Sequence, residues 1–223
     1  MSCRLFAAVV LGALLGAGAR AEVAGLVGRM DGDTYVSPTG EFRFPSPVLP
    51  ELGGTVSDTA NVVTFSDNFN VHISIACFPQ DATQKWELET RERRDYLLYF
   101  FTTFVLADFQ ARFPGAKIES ARYVPGLMDG ALIAYALLPG GSAFETRNRI
   151  LGTPDADPVT AKRGNLLFVR RGHVYIVSTE LAERVTERST YALTPEKEDA
   201  LLSDRLTTLA GRFVFTAPKP RGP

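Results

Sequence analysis

The chain has 223 residues, with 24 lysines and arginines against 25 aspartates and glutamates, and 45% of its side chains are apolar. That is one domain's worth of polypeptide, enough to bury about 70% of its unfolded surface, and its ordinary composition excludes a disordered, collagenous or multispan membrane chain. The near-neutral charge argues against a nucleic-acid partner, which needs a basic face to displace phosphate counterions.

Met1 to Arg4 is short and basic, Leu5 to Gly18 is apolar and small, and Ala19, Arg20 and Ala21 form an A-x-A pattern before Glu22. This reads as a signal peptide over residues 1–21, cleaved between Ala21 and Glu22. The apolar run, about 14 residues broken by glycines, falls short of the roughly 20 a spanning helix needs, so no transmembrane span remains after removal. A periplasmic or extracellular location follows, and the excess of arginine over lysine with abundant alanine and glycine hints at a bacterial source. Cys3 departs with the leader, leaving Cys77 as the lone thiol and no intrachain disulfide.

Residues 22–33 are Gly-rich and read as a flexible lead-in to a single domain over 34–216. Thr34 to Val36 and Glu41 to Phe44 flank Ser37-Pro38-Thr39-Gly40, the composition of a hairpin turn. Asn61 to Phe65 and Val71 to Cys77 form a second hairpin across Ser66-Asp67-Asn68. In its second strand Val71, Ile73, Ile75 and Cys77 share one face and His72, Ser74 and Ala76 the other, which points Cys77 at the core.

Asp81 and Gln84 have capping-box spacing, and no Gly or Pro interrupts the chain from there to Phe113, so one long helix or two consecutive helices are expected. Its first half is charged all round. Its second half, Tyr96 to Leu106, is aromatic and apolar on nearly every face, the pattern of a helix packed on a sheet. Lys117 to Tyr123 and Gly130 to Leu138 read as strands, the latter apolar on both faces and so central. A polar strand near Ala143 to Arg149 and a loop from Leu151 to Gly164, carrying Asp155 and Asp157, follow. Leu166 to Val169 and Val174 to Val177 form the clearest hairpin, joined through Arg170, Arg171, Gly172 and His173. Thr194, Pro195 and Glu196 open a last helix with Leu202, Leu206 and Leu209 on one face, before a short strand at Phe213 to Phe215 and a disordered tail over 217–223. The fold class is α+β: a single-domain α/β sandwich, an antiparallel β-sheet packed by a long aromatic helix and a C-terminal helix.

This order of elements, from the Tyr35-Val36-Ser37-Pro38-Thr39-Gly40-Glu41-Phe42-Arg43-Phe44-Pro45 opening to the hairpin over Leu166 to Val177 and the helix closing on Phe213 to Phe215, resembles the PsbP-like α/β sandwich family over about Thr34 to Phe215. The family includes extrinsic photosystem subunits, a Ran-binding protein and many bacterial secreted proteins, and it shares no catalytic constellation. The resemblance implies an antiparallel sheet between helices and a binding or assembly role.

Residue chemistry adds little to that. The chain has no G-x-S-x-G, H-E-x-x-H, P-loop, C-x-x-C or G-x-G-x-x-G motif, so no cofactor or metal site is implied. The expected role is a secreted or periplasmic, non-catalytic binding or accessory protein whose partner is a protein or a small ligand. One alternative is a cysteine-dependent hydrolase using Cys77 with His173, or less readily His72, as base; another is a structural component of cell-envelope assembly. Candidate partner or ligand surfaces are Arg170 and Arg171 at a hairpin tip and Tyr99, Phe100 and Phe104 on the aromatic helix.

Overall fold

The computed structural model describes residues 25–144, 159–187 and 190–216. The expected leader and its cleavage point at Ala21 and Glu22, the polar segment after Phe144, Asp155 and Asp157, and the tail over 217–223 lie outside the described residues.

Two antiparallel sheets form the frame. The smaller has the order β1-β2-β3-β11, with β1 (Arg29–Asp31), β2 (Thr34–Val36), β3 (Phe42–Pro45) and the last strand, β11 (Val214–Phe215). The larger has seven strands, β4 (Thr55–Asp58), β5 (Val62–Ser66), β6 (His72–Pro79), β7 (Lys117–Val124), β8 (Ala131–Pro139), β9 (Thr160–Arg170) and β10 (His173–Glu180), in the order β4-β5-β6-β10-β9-β8-β7. One face carries the helical stretch α1 (Ala82–Thr90), α2 (Arg93–Phe100), a π-helical turn (Phe101–Leu106) and α3 (Ala107–Arg112). The other carries α5 (Pro195–Ala210) and the small sheet, and the short α4 (Glu183–Thr186) follows β10. This is the α+β sandwich expected from the sequence.

Each face of the large sheet is a core of its own because side chains alternate along a strand. Ile73, Ile75, Leu166, Phe168, Tyr175 and Val177 pack against α5 and the small sheet, while Ala76, Phe78, Leu132, Leu167, Val174 and Ile176 meet the aromatic helices. Helix α5 buries Leu202, Leu206 and Leu209, and its approach is permitted by Gly164, where a Cβ would stand 3.1 Å from Leu206 and 3.2 Å from Leu202. Its start is as expected, with Pro195 in the first turn and the Thr194 hydroxyl accepting from the Lys197 amide at 3.5 Å.

The structure departs from the sequence reading at three places and decides between two alternatives at a fourth. The lead-in is ordered earlier than Thr34, because β1 pairs with β2 and the Val27 and Gly28 amides donate to the Asp58 carboxylate at 2.8 and 2.7 Å. A strand, β4, precedes the second hairpin. Of the two helical expectations, the consecutive one holds: α1 ends at Arg91 and Glu92, both in extended backbone, and α2 continues through the π-helical turn. Finally, Ala143 and Phe144 form a turn instead of starting a strand, and the loop expected to reach Gly164 ends before Thr160, where β9 begins.

Candidate functional site

Three β-turns and the start of α1 meet at one end of the molecule. The β2–β3 turn is closed by the Gly40 amide donating to the Ser37 carbonyl at 2.9 Å, with Gly40 at φ 75°. The β4–β5 turn is held by the Thr59 amide on the Val62 carbonyl at 2.8 Å and the Thr59 hydroxyl accepting from the Val62 amide at 3.1 Å. The β9–β10 turn is the two-residue type with both φ values positive, 50° at Arg171 and 72° at Gly172, whose twist matches the flanking strands. The Gln80 amide donates to the Gly172 carbonyl at 2.8 Å and so ties the entry of α1 to this turn. That helix starts on the predicted capping box: Asp81 accepts from the Gln84 amide at 2.7 Å and Gln84 accepts from the Asp81 amide at 3.3 Å.

Between these turns lies a cleft of about 520 Å3. Residues of the large sheet, among them Val62, Ile75 and Cys77, line it on one side, and Tyr35 and Phe42 line it from the small sheet. Glu41 stands on the small-sheet side, and Lys85, Arg171 and His173 on the side of the large sheet and α1. Loops set on a rigid scaffold in this way are where proteins commonly place recognition.

The cleft unites two of the sequence candidates, Cys77 and His173, since both line it. Their surroundings differ. Burial pushes the Cys77 thiol up to about 12, the opposite direction from the thiolate a nucleophile requires. The Tyr175 hydroxyl, on the register partner of Cys77, faces the thiol and pulls it down against the larger effect of burial. His173 turns Nδ1 to the Arg171 carbonyl at 3.0 Å, and among the described residues no hydrogen bond links it to the thiol. His72 points to the opposite face, as the alternation predicts, where burial and the Arg163 guanidinium depress it to about 3.

The remaining candidates separate. Arg170 stacks its guanidinium 4.3 Å over Phe215 and clamps β11, whereas Arg171 is exposed at the cleft and donates to the Thr216 carbonyl. Phe100 is buried in the core, 3% exposed and 4.9 Å from the Phe104 ring, so it offers no surface to a partner. Tyr99 and Phe104 are half-buried on the shoulder of the helix, with Arg91 stacked 4.6 Å over Tyr99.

Two buried charge clusters escape a reading of the sequence. The Lys162 ammonium, wholly buried, contacts Asp199 at 2.6 Å, Glu198 at 3.0 Å and Glu119, and donates to the Pro195 carbonyl at 3.3 Å. Glu198 also takes Arg184 at 3.3 Å and the Tyr191 hydroxyl at 2.5 Å. On the opposite face Arg163 meets Glu180 at 3.4 Å, and Glu180 accepts from the Ser142 hydroxyl at 2.5 Å and the Ala143 amide at 3.0 Å. The consecutive Lys162 and Arg163 look like loop charges, but in an extended chain neighbours point to opposite faces, and each meets its own acid. The available signal was the length of the neighbouring strand β8, whose Leu137 pairs with Lys162 and Pro139 with Thr160.

No family model and no curated protein matches the sequence. Among solved structures, the chain is similar to the solution structure of cyanobacterial PsbP (CyanoP) from Synechocystis sp. PCC 6803, with TM-score 0.46 and 13% identity over 90% of this chain and 99% of that one. The Ran-binding protein Mog1p from Saccharomyces cerevisiae also matches, with TM-score 0.47 and 10% identity over 84% of this chain and 96% of that one. The structures matched include a PsbP, the family that the order of elements resembles. Among the described residues no helix is long and apolar enough to cross a membrane.

Proposed function

We propose that this is a secreted or periplasmic protein that acts by binding, as an accessory factor without chemistry of its own. The observation that carries the reading is the cleft at the meeting of three turns, where recognition groups surround a thiol held in its protonated form. The leader over residues 1–21 supports the location. Export should yield a mature protein whose mass starts at Glu22; a retained leader on a cytosolic product would overturn that part of the reading.

The second reading is the cysteine hydrolase, favoured by Cys77 and His173 lining one cleft. Iodoacetamide at neutral pH decides between them. The folded protein should label at Cys77 far more slowly than the urea-unfolded chain. Labelling of the folded protein faster than a free thiol at the same pH would mean an activated thiolate and would reject the binding reading in favour of the hydrolase.

A further inference from the structure

The seven-stranded sheet ends at β7, so one edge of that eight-residue strand has no neighbouring strand among the described residues. Such edges are ready templates for another strand, and proteins ordinarily blunt them. Here the blunting stops halfway. A register shift between Ile118 and Ser120 disturbs the first half, whereas Ser120 to Val124 pair regularly with β8 and are half-buried or exposed. Ser120 and Arg122 turn towards α5, where they bond Asp199 at 2.7 Å and Ser203, and alternation leaves Ala121 and Tyr123 on the face of the aromatic helices. On that face α2 packs on β8 rather than on β7. The step beside it is an open hollow of about 410 Å3, lined by Arg94 and Leu98 of α2, Ala121, Arg122 and Tyr123 of β7 and Leu132 of β8. Leu98 is 38% exposed there.

The charge around this edge is positive. Lys117 and Arg122 are exposed along the strand, and its one acid, Glu119, is taken by Lys162. Arg94 meets Asp95 only at 3.9 Å, with the two side chains 67% and 62% exposed, and an ion pair so open to water holds its partners weakly. We propose that the β7 edge takes an acidic, extended peptide segment of a partner protein as an added strand. Its backbone pairs along Ser120 to Val124, an apolar side chain enters the hollow, and acidic side chains two residues away on the same face meet Arg94. In this mode of recognition main-chain hydrogen bonds supply affinity and pockets for alternate side chains supply specificity. The surface shares no residue with the cleft, so the assignment stands whether or not the cleft is occupied.

Fluorescence polarisation of a fluorescein-labelled heptapeptide with the purified protein tests it. The probe has leucine at its centre, glutamate two residues to either side, threonine between them and serine at both ends. It should bind saturably. Alanine in place of leucine should weaken it about tenfold, and lysine in place of both glutamates about threefold or more. N-methylation of alternate peptide amides should abolish binding in one register and be tolerated in the other, because an added strand points every second amide away from the sheet. Arg94→Glu should weaken the glutamate probe and strengthen the lysine one, an exchange of preference that loss of fold does not produce. Absence of saturable binding at about 1 mM protein overturns the proposal. So do equal effects of N-methylation in both registers, or an Arg94→Glu protein that ranks the two probes as the unsubstituted one does. A dimer of the protein alone that the probe leaves intact assigns the edge to a second copy and overturns it as well.

Discussion

At the scale of single residues, the structure places its most expensive groups where the sequence gives the least warning. Lys162 is the sharpest case: an ammonium wholly out of solvent, offset by Glu119, Glu198 and Asp199. Removing one partner of such a cluster leaves the others uncompensated. Lys162→Met should therefore cost about 3 kcal/mol or more of stability in urea denaturation, whereas a change of under about 1 kcal/mol would mean that the acids find other partners or water. Cys77 shows the converse. Alternation along β6 was enough to put it with Ile73 and Ile75, since period two is a steric property of any strand, and the structure agrees. What alternation could not disclose was its cleft, because Glu41, Arg171 and Lys85 come from three separate parts of the chain and meet only through turn geometry.

At the scale of elements, turns and caps were legible, and the position of the break between the two helices was not. The Asp81 capping box, the Thr194 start and the Arg171-Gly172 turn each follow from local hydrogen bonding or steric preference, and all three are present. The interruption at Arg91 and Glu92 has no Gly or Pro to announce it. It releases α2 to turn its aromatic side onto the sheet, where Tyr96, Leu97, Phe100 and Phe101 are buried. The π-helical turn then adjusts the phase so that Val105 and Phe109 stay on the buried side. β4 was missed because its side chains are mostly polar and it is an edge strand, paired only through β5. The contact of α5 with the sheet depends on Gly164, so Gly164→Ala should lower stability by about 1–3 kcal/mol, the usual cost of overpacking, as read by the midpoint of thermal or urea unfolding. A neutral result would show that Leu202 and Leu206 repack without penalty.

For the whole molecule, buried titratable groups confine stability to a window of pH. On the acid side, the folded state keeps His72 neutral down to about 3 while the unfolded chain takes up a proton at its ordinary 6.5, so stability falls as pH drops below 6.5. Glu183, held low by Arg205 against the effect of its burial, adds a loss as pH falls through the carboxylate range. On the alkaline side, the unfolded chain ionises its thiol at 9.0, whereas burial holds Cys77 protonated to about 12, and buried Tyr35 and Tyr175 are raised likewise. Lys162 is raised above its ordinary 10.5 by its carboxylate partners, which outweigh its burial, so its contribution is complete below 10.5 and disappears above it. Urea denaturation across pH should show a plateau between about 6.5 and 9 with both flanks falling. His72→Gln should flatten the acid flank; a flank of unchanged slope would assign it elsewhere.

The small sheet links positions remote in sequence, since β11 pairs with β3 and sets Phe213 5.5 Å from Phe42 and 5.0 Å from Phe44. Until Phe213 and Phe215 emerge from the ribosome, the opening hairpin has no lid over its rings, so this sheet closes about 170 residues after β3 is made, the sequence separation of β3 and β11.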